Sequence, residues 1–144
     1  MNGAGIDGAL LADLKRDEGF RGRPYRDSEG LLTIGYGTLI ENGISAAEAE
    51  TLLTSRLGDI IGELDRRWPL GREVPTPVAR GLCNMAYNLG VPRLLGFKRM
   101  WAALAAGDYE GAADEALDSK WARQVGARAE RVAELIREGG RWAS

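Results

Sequence analysis

DEGFRGRPYRDSEGLLTIGYG, residues 17–37, gathers five of the chain's 20 glycines and the carboxylates of Asp17, Glu18, Asp27 and Glu29 around a strand-like run that contains Thr33. Upstream, Ile6, Leu10, Leu11 and Leu14 recur at helical spacing and Gly19 supplies a stop, so a first helix is expected to end at Glu18. Downstream, Pro24 and Tyr25 lead into Asp27-Ser28-Glu29-Gly30, a turn composition, and Leu31 to Gly37 read as the second strand of a hairpin. Side chains alternate along a strand, which puts Leu32, Ile34 and Tyr36 on one face. Thr33, Gly35 and Gly37 fall on the other, which is nearly bare.

The rest of the chain reads as helix. Ser45-Ala46-Ala47-Glu48 has the form of a capping box, with Ile44 and Ala49 placed for a weak staple. The long helix that follows carries Leu52, Leu53, Leu57, Ile60, Ile61 and Leu64 at helical spacing, weakened locally by Gly58 and Gly62. Thr76-Pro77 reads as an N-cap with proline at the first helical position, opening a helix through Val78, Leu82, Met85 and Leu89 that Gly90 and Pro92 stop. Further helices are expected over 94–106, 108–117 and 127–138, punctuated by Gly96, Gly107 and Gly126. Trp101 and Trp121 sit within apolar helical patterns and are expected in the core. The fold class that follows is α+β and mainly α-helical. One unit of 144 residues is expected, with a small hairpin lobe over 15–45, a connecting helix over 46–67, and a helical lobe over 75–144 that takes in the N-terminal helix.

Composition narrows the chemistry. The chain is 44% hydrophobic and 28% charged, close to globular averages, and its longest apolar runs fall far short of the roughly 20 residues a membrane span needs. The first residues lack the basic-then-apolar layout of a secretory signal, so a cytoplasmic protein is expected. Cys83 is the single cysteine, which excludes an internal disulfide and any thiolate metal cluster. Histidine is absent, which removes the usual base of serine and cysteine nucleophiles and the commonest zinc ligand. Carboxylates are therefore the expected acid and base. Residues 1–65 carry 6 basic and 12 acidic side chains and residues 66–144 carry 13 and 9. The resulting +4 of the second part is a solvated helical surface rather than a nucleic-acid signature.

Glu18, Asp27 and Thr33 form E-x8-D-x5-T across a helix end, a turn and a strand, so that three polar groups converge on one small β lobe. Cleavage of a glycosidic bond needs such a set: one protonated carboxyl for the leaving oxygen and one ionised carboxylate to activate water or attack the sugar. A hydroxyl at Thr33 can hold that water, since it donates and accepts at once. The bare positions Gly35 and Gly37 would leave room for a sugar ring. Each member also has an ordinary reading: Glu18 as an exposed helix-end charge, Asp27 as a turn former, Thr33 as a β-branched strand residue.

The whole stretch resembles the phage-type lysozymes, glycoside hydrolase family 24, in E18-G-F, Y25-R-D27, E29-G30 and T33-I-G-Y-G37. The likeness continues through GISAAEAETLL (43–53), NMAYNLG (84–90), GFKRMWAAL (96–104) and SKWARQVGARAERV (119–132), nearly the full chain. It implies a two-lobed fold with a cleft between the lobes and hydrolysis of the β-1,4 bond between N-acetylmuramic acid and N-acetylglucosamine in peptidoglycan, by an endolysin that inverts the anomeric centre. It further implies Glu18 as the acid, Asp27 as the second carboxylate and Thr33 as the supporting hydroxyl. Leu39 and Tyr87 match substrate contacts, and Arg128 matches an arginine that pairs with the glutamate across the cleft. Met100 and Glu115 stand at two further contact positions in place of smaller or neutral polar residues, and Thr38 replaces a histidine of structural role. No metal or organic cofactor is implied. The expected partner is peptidoglycan, for a monomer without nucleic acid or membrane anchor that waits in the host cytoplasm for a holin. A lytic transglycosylase, using one glutamate and no water, and a non-catalytic wall-binding virion domain are the alternatives.

Overall fold

The computed structural model describes residues 7–142, so Ile6 of the expected first helix lies outside the described residues. Two compact units divide the chain between Thr51 and Leu52.

In the first unit, α1 (Gly8–Glu18) is opened by Asp7, whose carboxylate accepts from the N–H of Ala9, and closed by Gly19 at φ 71°. The Gly19 N–H returns to the carbonyl of Lys15, so the helix ends where the sequence places its end. A three-stranded antiparallel sheet follows, in the order β1 (Arg21–Arg26), β2 (Leu32–Gly35) and β3 (Thr38–Leu39). Tyr25 pairs with Thr33 and Arg26 with Leu32, while the register shifts between Arg21 and Tyr25. Pro24 lies in that shifted stretch of an edge strand, where its missing N–H costs no ladder bond. Lys15 of α1 lies over the Tyr36 ring, which also meets Phe20, so helix and sheet are tied on one side of the turn.

The expected strand over 31–37 is instead a strand that ends at Gly35 and a turn at 36–37, after which β3 begins. Gly35 at φ 69° and Gly37 at φ 78° take a left-handed backbone that an L side chain rarely adopts, and the chain reverses through Tyr36. Thr38 then pairs with Ile34 and Leu39 with Thr33. After a 3-10 turn (Ile40–Asn42), α2 (Ala46–Arg66) begins with the expected reciprocal box: Ser45 Oγ accepts the Glu48 N–H, and Glu48 accepts the Ser45 N–H.

The second unit holds the end of α2 with α3 (Thr76–Leu89), α4 (Val91–Leu95), α5 (Lys98–Ala105), α6 (Tyr109–Leu117), α7 (Lys120–Val125) and α8 (Ala127–Trp142). Val78, Leu82, Met85 and Ala86 of α3 form the middle of a core completed by Leu94, Met100, Trp101, Leu104, Trp121, Val132 and Ile136. Four boundaries differ from expectation. Pro75, rather than Thr76, is the extended residue before α3, which places Pro77 in the first turn, where an N–H would lack a partner anyway. Pro92 opens α4 instead of merely ending α3, and Gly96-Phe97 split the expected helix over 94–106 in two. α8 runs through Gly139 and Gly140 because packing outweighs their low helix propensity: a Cβ at Gly139 would stand 2.5 Å from Val78 Cγ2 and 2.8 Å from the Tyr109 ring. No helix of the described residues is long and apolar enough to cross a membrane.

Candidate functional site

Asp27 is held by its own turn. Its Oδ1 accepts the N–H groups of Glu29 and Leu31, both at 2.9 Å, and the Gly30 N–H returns to its carbonyl. That is the Asx geometry expected of a turn aspartate, and it uses one carboxylate oxygen. Oδ2 takes no hydrogen bond from the described residues of the first unit. Asp27 is half-buried, and the Arg26 guanidinium spans the same turn to the Gly30 carbonyl.

Thr33 meets Asp27 through Leu31. The Leu31 carbonyl accepts the Asp27 N–H at 2.9 Å and the Thr33 hydroxyl at 3.0 Å. With its proton committed there, Thr33 offers a further partner acceptor lone pairs alone. It is 2% exposed and the one buried polar side chain among the described residues. Leu39 stands opposite it in the register, half-buried.

Glu18 comes to the same sheet from the helix end, and here the expected role of the bare glycines is corrected. Gly35 closes β2 opposite Arg21 and Gly37 lies in the turn after it, so the two do not line one open strand face. The three atoms nearest an added Gly37 Cβ are Oε2, Cδ and Cγ of Glu18, at 2.6, 3.0 and 3.5 Å. The bare Cα of Gly37 is thus occupied by the glutamate side chain. Asp17 and Glu29 stay on the surface, the former paired with Arg16 at 3.1 Å.

Within the second unit, α3 presents Asn84, Tyr87 and Asn88 on adjacent turns of one face. Arg128 donates from Nε to Asn84 Oδ1 at 2.8 Å and from an Nη to the Asn84 carbonyl at 3.3 Å. Trp121 donates its indole N–H to Asn88 Oδ1 at 2.9 Å. Tyr87 between them is 40% exposed. The sequence reading passed over both asparagines. Their spacing of four, beside the apolar positions of α3, was the available signal.

Met100 and Glu115 line one concavity of about 550 Å³ with Phe97, Arg99 and Trp121, but Met100 is only 1% exposed and belongs mainly to the core. A larger concavity, about 810 Å³, lies among Leu64, Trp68, Val74 and Cys83. None of the candidate residues lines it, so size does not mark the chemistry. Burial, and then Asp65, push the Cys83 thiol above its usual range, which disfavours the thiolate.

Comparison with known proteins identifies a family for the chain as a whole. The Phage lysozyme family profile matches residues 15–138. The chain is 32% identical to the pre-baseplate central spike protein Gp5 of Enterobacteria phage T4, over 88% of this chain and 27% of that protein, so it spans about a quarter of that relative's length. It is 31% identical to an endolysin of Salmonella phage P22, over 72% of this chain and 75% of that protein. A probable T4-type lysozyme of Dictyostelium discoideum is 26% identical over 88% and 92% of the two chains.

Proposed function

The chain belongs to the phage lysozyme family, and from that premise we propose that it is a peptidoglycan-cleaving glycoside hydrolase, an endolysin that cuts the β-1,4 bond between N-acetylmuramic acid and N-acetylglucosamine. One observation carries the reading. Two carboxylates and a hydroxyl from a helix end, a turn and a strand are fixed on one small sheet, Asp27 and Thr33 through Leu31 and Glu18 over Gly37.

In this reading Glu18, at the end of its helix, gives its proton to the leaving glycosidic oxygen as the bond to the anomeric carbon breaks. Asp27 takes a proton from water, and the water oxygen forms the new bond from the opposite face. Its Oδ2 is free of the turn's hydrogen bonds and suits that task. Thr33 accepts a hydrogen bond from the same water. The product is the inverted anomer, and both carboxyls regain their starting states by proton exchange with solvent. Leu39, Tyr87 and Arg128 are proposed as substrate contacts, as the family resemblance suggests. Acting as an endolysin, the protein would leave the host cytoplasm through a holin and cause lysis.

Clearing of permeabilised cells by the native protein, set against Glu18→Gln, tests the reaction; equal clearing by both would refute it. Proton NMR of the first-formed anomer tests inversion, which a β product at early time excludes. An anhydro-sugar product, detected by mass spectrometry, would instead identify a transglycosylase. The likeness to the spike protein favours a second setting for the same chemistry, a wall-cutting module of a virion. Recovery of the chain from purified particles rather than lysates would support that setting.

A further inference from the structure

Two main-chain elements hold Gly37 and Glu18 against each other. Gly37 lies in a turn whose flanks are fixed by the pairs Ile34 with Thr38 and Thr33 with Leu39. Glu18 is the last residue of α1, where the Gly19 N–H closes the helix onto Lys15. Between them is space for a carboxylate or for a Cβ at 37, and not for both, because a carbon within 2.6 Å of Oε2 is far inside van der Waals contact. The backbone on either side is tied down, while the carboxylate is the far end of a flexible side chain. A side chain at 37 would therefore leave the fold in place and displace the carboxylate.

We propose that Gly37 is a positioning residue for Glu18: its bare Cα is the seat on which the carboxyl rests, and the absence of a side chain there sets where the proton is delivered. The proposal rests on the reading of Glu18 as the proton donor. A general acid works only within hydrogen-bond reach of the oxygen it protonates, and a displacement of about 1 Å costs on the order of 100-fold in rate.

Gly35 provides the matched control. It lies two residues away, at the end of β2 where the turn begins, at φ 69° against 78°, and an added Cβ there meets nothing within 4 Å. Alanine at either position carries the same left-handed backbone strain. Only at position 37 does it also meet Glu18.

The experiment compares Gly37→Ala and Gly35→Ala in the full chain by thermal melting, by kcat and KM on peptidoglycan, and by the carbon-13 shift of the Glu18 carboxyl, assigned by its loss in Glu18→Gln. Both variants are expected to melt lower by similar amounts. Gly37→Ala should lose about 100-fold in kcat with KM within about threefold, and should move the Glu18 resonance. Gly35→Ala should keep kcat within about threefold and leave the resonance in place. Should an alanine variant not fold, Gly37→Asn and Gly35→Asn carry the same contrast, since asparagine tolerates a left-handed backbone. Equal kcat losses at the two positions, or an unmoved resonance in the position-37 variant, would overturn the proposal. Full activity in Glu18→Gln would overturn the reaction instead, and the resonance would still report whether Gly37 seats the carboxyl.

Discussion

Asn84 grips Arg128 at two points, its side-chain oxygen taking Nε–H at 2.8 Å and its carbonyl an Nη–H at 3.3 Å. A guanidinium with two of its nitrogens so engaged is fixed in plane and direction, and it keeps its other Nη for a further partner. One turn along α3, Asn88 accepts the Trp121 indole N–H through its side-chain oxygen alone. The two asparagines are chemically alike, yet one orients a cation and the other satisfies a core aromatic.

Asn84→Ala is expected to release the Nε–H of Arg128 while the main-chain carbonyl keeps its Nη–H, with a loss of about 1 to 3 kcal/mol for a hydrogen bond to a charged group and a fall in activity. Asn88→Ala is expected to cost a comparable stability, by orphaning a buried indole N–H, while activity at low temperature stays near native. Thermal melting and turnover distinguish them, and exchange of the Arg128 Nε–H should quicken in the first variant alone. Unchanged exchange in Asn84→Ala would remove the orienting role.

Asp27 has separable duties, because its turn uses Oδ1 and the proposed reaction uses Oδ2. Asp27→Asn keeps an oxygen acceptor for the Glu29 and Leu31 N–H groups, so the melting temperature should hold while hydrolysis falls by about 100-fold or more. Asp27→Ala removes the acceptor too and should also cost about 0.5 to 2 kcal/mol, as loss of a local backbone cap does. If the asparagine variant cleared cell walls at the native rate, Asp27 would be a turn former and nothing more.

Gly139 and Gly140 are neighbours in α8 with opposite surroundings. A methyl at 139 meets Val78 and Tyr109, whereas one at 140 meets nothing within 4 Å. Gly139→Ala should destabilise by about 1 to 3 kcal/mol through overpacking. Gly140→Ala should stabilise by about 0.5 to 1 kcal/mol through helix propensity. Chemical denaturation of the two variants reads the contrast directly, and a shared sign would contradict the packing at Gly139.

The Ser45 N–H, and then the Ser45 hydroxyl, hold the Glu48 carboxyl below its usual value of 4.5. The folded state thus prefers the ionised form, so this contribution to stability is complete above 4.5, the unfolded value, and disappears as pH falls through the lower folded one. In melting curves between about pH 6 and pH 3, Glu48→Gln should lose less stability on acidification than the native chain. Parallel curves would show that the box carries no linked proton.

Local chemistry was legible where neighbours in sequence are partners in space. Asp27 closes a turn on Leu31, Gly19 stops α1 at Glu18, and Ser45 and Glu48 cap α2, all within a few residues. What was illegible depended on distant partners. The passage of α8 through two glycines was missed because Val78 and Tyr109 are far away in the chain. The tyrosine in T33-I-G-Y-G37 suited a strand by propensity, but two left-handed glycines turned the chain there.

The sequence by itself determined the class of fold and the short-range geometry of Asp27, since periodicity and turn chemistry act over a few bonds, and the family through the likeness of its motifs. Only the tertiary structure decided that Gly37 seats Glu18, that Thr33 commits its proton to Leu31, and that Asn84 steers Arg128. The Gly37 and Asn84 contacts join elements that approach only when the chain packs, and Thr33 takes its place in the sheet that carries it. An ångström-scale vacancy at a glycine is a property of what surrounds it, and no reading of the residue alone contains it.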